Sequence, residues 1–267
     1  MKGTILEKIV EAKRVRVDAA KQNCDFAALI EQAHKTRMGK MSGRFKHALS
    51  DRSRTNIIAE FKRASPSKGL INDGRDPAQT AVAYMKGGAA AISVLTEEDF
   101  FRGSLADLQA VRSAVDLPIL RKDFVVDEFQ IVESAIAGAD AVLLIVATLA
   151  TDELQHFQSS AHSLGLDAIV EVHDSDELAI AKAIGAAIIG VNNRDLKTFT
   201  VSLDVSRALI TSKPAGVVMI AESGISTREE ILELRDLGYD GFLIGETLMR
   251  SGESERELRR LMGNDES

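Results

Sequence analysis

The 267-residue chain has a single cysteine, Cys24, which excludes an intrachain disulfide and any cysteine-rich metal site. That thiol reads as a reduced bystander. Tryptophan is absent and aromatic residues make up only 4% of the chain, too few for a surface that stacks bases. Positive charge is also short, 33 Lys and Arg against 40 Asp and Glu for a net charge of −7. The broad basic footprint of a nucleic-acid binder is therefore missing, and an anionic ligand must be held by a local group of donors. No apolar stretch approaches the ~20 residues of a membrane-spanning helix; the longest run, Ala141 to Ala150, is about half that length. Met1 to Val10 carries Lys2, Glu7 and Lys8, so it lacks the uninterrupted core of a signal peptide. A cytoplasmic protein with no membrane and no nucleic-acid partner is expected. No low-complexity linker divides the chain, which reads as one domain, 1–267. The sequence does not decide the oligomeric state, and a monomer is compatible with it.

What is present is a repeated grammar. Residues 4–20 and 26–37 place apolar side chains at helical spacing, with Ile5, Ile9, Ala12 and Val15 on one stripe and Phe26, Leu29 and Ile30 on another. Residues 1–50 are thus expected to form a helical extension of two helices, and the basic run Lys13-Arg14-Val15-Arg16 a solvated helix face. Eight short apolar runs follow, each leading through a polar loop into an amphipathic helix: Ile57–Phe61, Ala90–Leu95, Pro118–Arg121, Ala141–Val146, Ala168–Val172, Ala187–Val191, Val217–Ala221 and Gly241–Ile244. Eight βα units predict an α/β fold, a closed (β/α)8 barrel of the TIM type. An open doubly wound sheet is the alternative, but it wants a glycine-rich turn after its first strand, where this chain has Glu60-Phe61-Lys62.

A barrel of this kind carries its site at the carboxyl ends of the strands, and those ends concentrate polar residues. They supply Glu60, Lys62 and Ser65; Thr96 and Glu97; Lys122 and Asp123; Glu171 and His173; Asn192, Asn193 and Arg194; Glu222, Ser223 and Gly224; and Gly245 and Glu246. The fourth strand is apolar, and its Leu143 and Ile145 could line a wall. Gly224 and Gly245, in turns after the last two strands, suit a phosphate held on backbone N–H groups, with Ser65 and Arg194 as further donors. Glu246 beside that anion is unfavourable unless its carboxylate turns away. Lys62, Lys122 and Glu171 suit general acid and base catalysis, and a lysine could equally form a Schiff base with a carbonyl. His173 is expected behind the site; with the other four histidines dispersed over helices, no metal site is expected.

These residues sit in longer stretches that carry a resemblance. I-A-E-F-K-R-A-S-P-S-K-G at 58–69, S-V-L-T-E at 93–97, F-F-R-G-S at 100–104, L-R-K-D-F at 120–124, G-A-D-A-V-L-L-I-V at 138–146, I-V-E-V-H at 169–173, G-V-N-N-R-D-L at 190–196, A-E-S-G-I at 221–225 and F-L-I-G-E-T-L-M at 242–249 run in order through every barrel unit. In them the sequence resembles the indole-3-glycerol phosphate synthase family, barrel enzymes of tryptophan biosynthesis. The resemblance implies a carboxy-lyase acting on a small phosphorylated anion, 1-(2-carboxyphenylamino)-1-deoxyribulose 5-phosphate, whose ring closes with loss of carbon dioxide and water. No cofactor is implied. It implies that Lys122 protonates the ribulose carbonyl oxygen, that Lys62 holds the substrate carboxylate or delivers the proton in dehydration, and that Glu171 removes a proton as the pyrrole forms. Glu60, Asn192 and Ser223 would position these groups; Ser65, Gly224 and Gly245 would grip phosphate, and Arg194 a carboxylate or hydroxyl. Phe101 and Phe124, with Leu95, Leu143 and Ile145, would flank the benzene ring. Two positions depart from some relatives: Ala64 replaces a lysine, and Glu246 a small hydroxyl residue. The rival readings are another sugar-phosphate barrel enzyme, such as phosphoribosylanthranilate isomerase, and a non-catalytic barrel that only binds.

Overall fold

Three helices precede the first strand in a computed structural model that describes residues 3–22 and 24–264; Met1, Lys2 and Asn23 of the expected extension lie outside those residues. Helix α1 (Ile5–Lys21) starts at a capping box, where Thr4 Oγ1 accepts from the Glu7 N–H and Glu7 reaches back to the Thr4 N–H. Helix α2 (Phe26–Arg37) is capped by Asp25. A short α3 (Arg44–Leu49) follows, too brief to leave a periodic signature.

Eight parallel strands then close on themselves: β1 (Ile57–Phe61), β2 (Ala91–Leu95), β3 (Ile119–Lys122), β4 (Ala141–Ile145), β5 (Asp167–Val172), β6 (Ile188–Asn192), β7 (Val218–Glu222) and β8 (Gly241–Ile244). β1 pairs with both β2 and β8, through Ala59↔Ile92 and Ile58↔Leu243. The sheet has no free edge, and the open doubly wound alternative is excluded. Strand alternation divides the apolar residues into two packed sets. Ile57, Ala59 and Phe61 of β1 join the layer between barrel and outer helices, while Ile58 joins Leu120, Ile169, Ile188, Ile220 and Leu243 inside the barrel.

The barrel's amino-terminal end is stopped by α3, whose fully buried Phe45 and Leu49 belong to the inner set. Asn56 Nδ2 ties that plug by donating to the carbonyls of Leu49 and Asp240, at 3.0 and 2.9 Å. At the carboxyl end, Ile9 of α1 belongs to the same inner set. The helical face of α1 differs from expectation: Val15 is 65% exposed, and the buried stripe is Ile9, Lys13 and Val17, spaced by four. Lys13 is therefore not on a solvated face. The chain also forms a two-stranded turn after β1, Ala64 and Ser65 pairing antiparallel with Leu70 and Gly69, and a short helix (Glu246–Arg250) after β8. Both are too short for a periodic pattern to reveal.

Asp140, just before β4, shows how α2 is fixed to the barrel. Its buried carboxylate accepts from the Ile119 N–H at 3.1 Å, from Arg112 Nη1 at 3.1 Å and from Arg37 Nη1 of α2 at 3.4 Å. Arg37 itself is buried and directs its other donors to the carbonyls of Ala139, Leu164 and Gly165. Removing the acceptor leaves two guanidinium groups and a strand N–H short of a partner. Asp140→Ala is expected to lower the unfolding free energy by about 3 kcal/mol, read from a urea titration; a loss below about 1 kcal/mol would show that the contacts carry little of the fold.

Candidate active site

The inward-facing residues at the carboxyl ends of the odd-numbered strands are charged: Glu60 on β1, Lys122 on β3, Glu171 on β5 and Glu222 on β7. Alternate strands contribute side chains to one level of a barrel. Lys122 Nζ lies 3.5 Å from Glu171 Oε2 and makes a closer ion pair with Glu222 Oε2. Lys62, one step beyond β1, pairs with Glu60 Oε1 at 2.5 Å. Three carboxylates therefore share two ammonium groups, all lying largely out of solvent.

The imbalance separates the three acids. Burial alone would raise Glu171, but Lys122 beside it and His173 behind it bring it down to about 2. Burial raises Glu222 too, and there the pull of Lys122, partly cancelled by the negative charge of Glu171 and Glu60, does not bring it back, so it is pushed up to about 7. Glu222 Oε1 has no hydrogen-bond partner, which removes a further reason for it to stay ionised. Lys122 is held above its ordinary value, since burial disfavours its charge less than Glu222, Glu171 and Glu60 favour it. His173 lies 3.4 Å from Glu171 Oε1 and 3.0 Å from Glu177 Oε2. Burial opposes its charge, but the two carboxylates push it up to about 10. Asn192 donates to Glu171 Oε1 at 3.1 Å, and its own oxygen accepts from the Arg194 N–H at 3.0 Å.

Of these groups Glu60, Lys62, Lys122, Glu171 and Asn192 line a cavity of about 790 Å³ at the carboxyl end of the barrel, as do Ser65, Phe101, Phe124, Arg194, Ser223, Gly224 and Gly245, with Glu222 behind Lys122. Phe101 and Phe124 stand together on one side, ring centroids 6.2 Å apart and tilted by 38°. Leu95, Leu143 and Ile145 adjoin them in the lining. Ser65, Arg194, Ser223, Gly224 and Gly245 contribute polar and backbone groups. Ser223 and Gly224 have φ of 65° and 81°. A serine held left-handed costs energy that the surroundings must supply, a feature concentrated at binding and catalytic loops. Glu246 also lines the cavity, but its Oε1 sits 3.0 Å from Arg250 Nε and 3.9 Å from Lys68 Nζ. The carboxylate expected to repel an anion is thus matched by two cations, which also line the cavity.

Other rim residues serve the frame. Thr96 Oγ1 donates to Asp123 at 2.6 Å, Glu97 accepts from the N–H groups of Asp99, Phe100 and Phe101, and Asn193 clips the β7 end through the Glu222 and Ser223 carbonyls. Glu222 reads from the sequence as a strand end without a chemical role; counting alternation forward from Ile220 places it inward. Leu6 and Ile9 of α1, Lys68 and Arg250 also line the cavity; Lys68 falls within the 58–69 stretch but carries no assigned role there, and no local motif marks the other three.

The sequence model of the indole-3-glycerol phosphate synthase family matches residues 6–261. The chain belongs to that family. An indole-3-glycerol phosphate synthase of Carboxydothermus hydrogenoformans is 46% identical over 261 residues, covering 96% of this chain and 99% of that one. The synthase of Bordetella pertussis is 42% identical over 261 residues, covering 97% and 98%. Membership makes the chain a decarboxylating lyase of tryptophan synthesis and sets aside the isomerase and binding-only readings. Among solved structures, the tryptophan synthase alpha-subunit of Pyrococcus furiosus superposes with a TM-score of 0.61 at 14% identity, covering 79% of this chain and 98% of that one. Thiamine phosphate pyrophosphorylase of the same organism gives 0.58 at 17%, covering 79% and 94%. At such identity the likeness is one of fold.

The synthase site also depends on two missing side chains. A Cβ on Gly245 would stand 2.3 Å from Glu60 Oε1, and one on Gly190 2.1 Å from Glu222 Oε1. Either would push a carboxylate of the central group out of place. Gly245→Ala is expected to lower kcat/KM for ring closure about 100-fold, while circular dichroism shows the barrel intact; turnover within about threefold of the parent would mean that the Glu60 position is not critical.

Proposed function

We propose that the chain closes the indole ring of 1-(2-carboxyphenylamino)-1-deoxyribulose 5-phosphate with Lys122 as the donor to the ribulose carbonyl oxygen and Glu171 as the base. Lys122, flanked by Glu171 and Glu222 across the barrel mouth, carries this reading. Ring closure joins the aromatic carbon bearing the carboxylate to the carbonyl carbon, and negative charge develops on the oxygen. An ammonium held by fixed carboxylates meets that charge in the transition state without rearranging a solvent shell. Loss of carbon dioxide restores the aromatic ring. The hydroxyl then leaves as water, with Lys62 supplying a proton, and Glu171 takes the proton whose removal completes the pyrrole. Its low value keeps Glu171 ionised, and His173 and Asn192 hold it in place.

In this reading Phe101, Phe124, Leu143 and Ile145 flank the benzene ring. Ser65, Ser223, Gly224 and Gly245 receive the phosphate, with Arg194 toward the carboxylate or a hydroxyl. No cofactor takes part. The leading helices and barrel work as one domain, since Ala33 of α2 belongs to the layer around the strands and Leu6 and Ile9 of α1 face the cavity. Among the described residues no helix is long and apolar enough to cross a membrane; a cytoplasmic site of action agrees with a small phosphorylated substrate.

Incubation with the carboxyphenylamino ribulose phosphate should yield indole absorbance and one carbon dioxide per turnover. Lys122→Ala should reduce kcat at least about 1000-fold, and a variant retaining more than about a tenth of parental turnover would refute its role. The pH dependence follows from Glu222. Below about 7 it is neutral, and above it adds a charge beside an anionic substrate. The kcat/KM profile should therefore fall on the alkaline side with a group near 7, and Glu222→Gln should abolish that limb. A limb that persists unchanged in Glu222→Gln would assign it to another group.

A further inference from the structure

Lys13 lies in the apolar stripe of α1 between Ile9 and Val17, and its side chain is only 3% exposed. Burying an ammonium is costly unless its partners need the charge; docking α1 alone would be served by another apolar residue. Two partners converge on it. Nζ is 2.7 Å from Glu98 Oε2 and 2.9 Å from Asp123 Oδ1. Asp123 is fully withdrawn from solvent and adjoins Lys122. Its carboxylate also accepts from the Phe124 N–H at 2.8 Å, from Thr96 Oγ1 at 2.6 Å and from Arg121 Nη2 at 3.3 Å. Glu98 belongs to the loop that ends at Phe101, a loop folded around the Glu97 carboxylate. One cation on the extension thus joins the two backbone segments that carry the two aromatic rings of the cavity. Three residues along, Arg16 grips Asp99 of the same loop at 2.7 Å, but in a largely exposed pair.

We propose that Lys13 is a positioning residue for the ring end of the site: through Glu98 and Asp123 it sets the separation of Phe101 and Phe124, and so the affinity for an aromatic carboxylate moiety but not for phosphate. The proposal rests on the reaction assigned above. Lys122 stands next to Asp123 on the chain, and its carbonyl accepts from the Thr96 N–H at 3.1 Å, so the same tie steadies the strand end that presents the proton donor.

The test compares the parent with Lys13→Met, Lys13→Arg, Glu98→Gln and Arg16→Ala. For each, KM and kcat are measured with the carboxyphenylamino ribulose phosphate, and binding of 2-aminobenzoate and of inorganic phosphate is titrated separately. Lys13→Met should raise KM and weaken 2-aminobenzoate about tenfold while phosphate binding stays within about twofold. Lys13→Arg should restore most of the loss. Glu98→Gln, at a part-exposed position, should show the same ring-selective loss at about threefold, which keeps the test available if Lys13→Met folds poorly. Arg16→Ala should alter neither ligand. Equal weakening of both ligands, an unchanged KM in Lys13→Met, or the same effect from Arg16→Ala would overturn the proposal. An inactive parent would instead overturn the reaction, leaving the comparison of 2-aminobenzoate with phosphate to judge Lys13.

Discussion

Three carboxylates sharing two ammonium groups at one level of a closed barrel is the constraint on which the site depends. Alternation along four odd strands delivers Glu60, Lys122, Glu171 and Glu222 to the same level, and closure of the sheet turns four strand ends into one ring. In an open sheet the same residues would lie along a line, each free to find water. Confined together, they cannot all be ionised at low cost, and the acid with an unpartnered oxygen, Glu222, is where the proton stays. The result is an ionised base, Glu171, and an ammonium, Lys122, 3.5 Å apart, with a carboxyl group that titrates set against the ammonium.

Such a cluster gives little to stability, since the attraction within buried ion pairs offsets their desolvation poorly. The framework is held elsewhere, by apolar residues on both faces of the strands and by buried polar ties at the two barrel ends. The extension contributes one buried cation at each end. Arg37 of α2 closes on Asp140 and three carbonyls near the starts of the strands, and Lys13 of α1 closes on Asp123 where they finish. Each sits in the buried stripe of its helix among apolar residues, so the helix docks by burial and its register is set by charge.

The barrel is legible in the sequence because eight apolar runs repeat with polar loops between them, and because a strand's period of two identifies inward residues by counting. That is why Glu60, Lys62, Lys122 and Glu171 can be named without knowing their partners. Residues that reach the site from a distance cannot. Lys13 stands in a basic run that looks solvated, and only the spacing of Ile9, Lys13 and Val17 separates it from Arg14 and Arg16; a stripe drawn through Val15 selects the wrong face. Glu246 reads as a hazard because Arg250, one helical turn on, and Lys68, in a distant loop, are not part of its local pattern. Pairings between units are set by closure of the barrel, which no window of sequence contains.

The charge pattern also bears on how an anion comes to lie over an acidic cluster. The cations not consumed by the central carboxylates are peripheral: Arg194 reaches Ser67 and the Phe199 carbonyl, while Lys68 and Arg250 flank Glu246. The aromatic side has Phe101 and Phe124 instead. A phosphorylated substrate laid the wrong way round would bring its phosphate against apolar rings and strand an ionic group without donors, at a cost that no single apolar interaction could offset. Orientation therefore follows from what each wall cannot accommodate. Among the described residues lining the cavity, the cations beside the central carboxylates are Lys62 and Lys122, each tied by carboxylates to one place. That fixed placement is what distinguishes a surface that binds an anion from one that stabilises an anion as it forms.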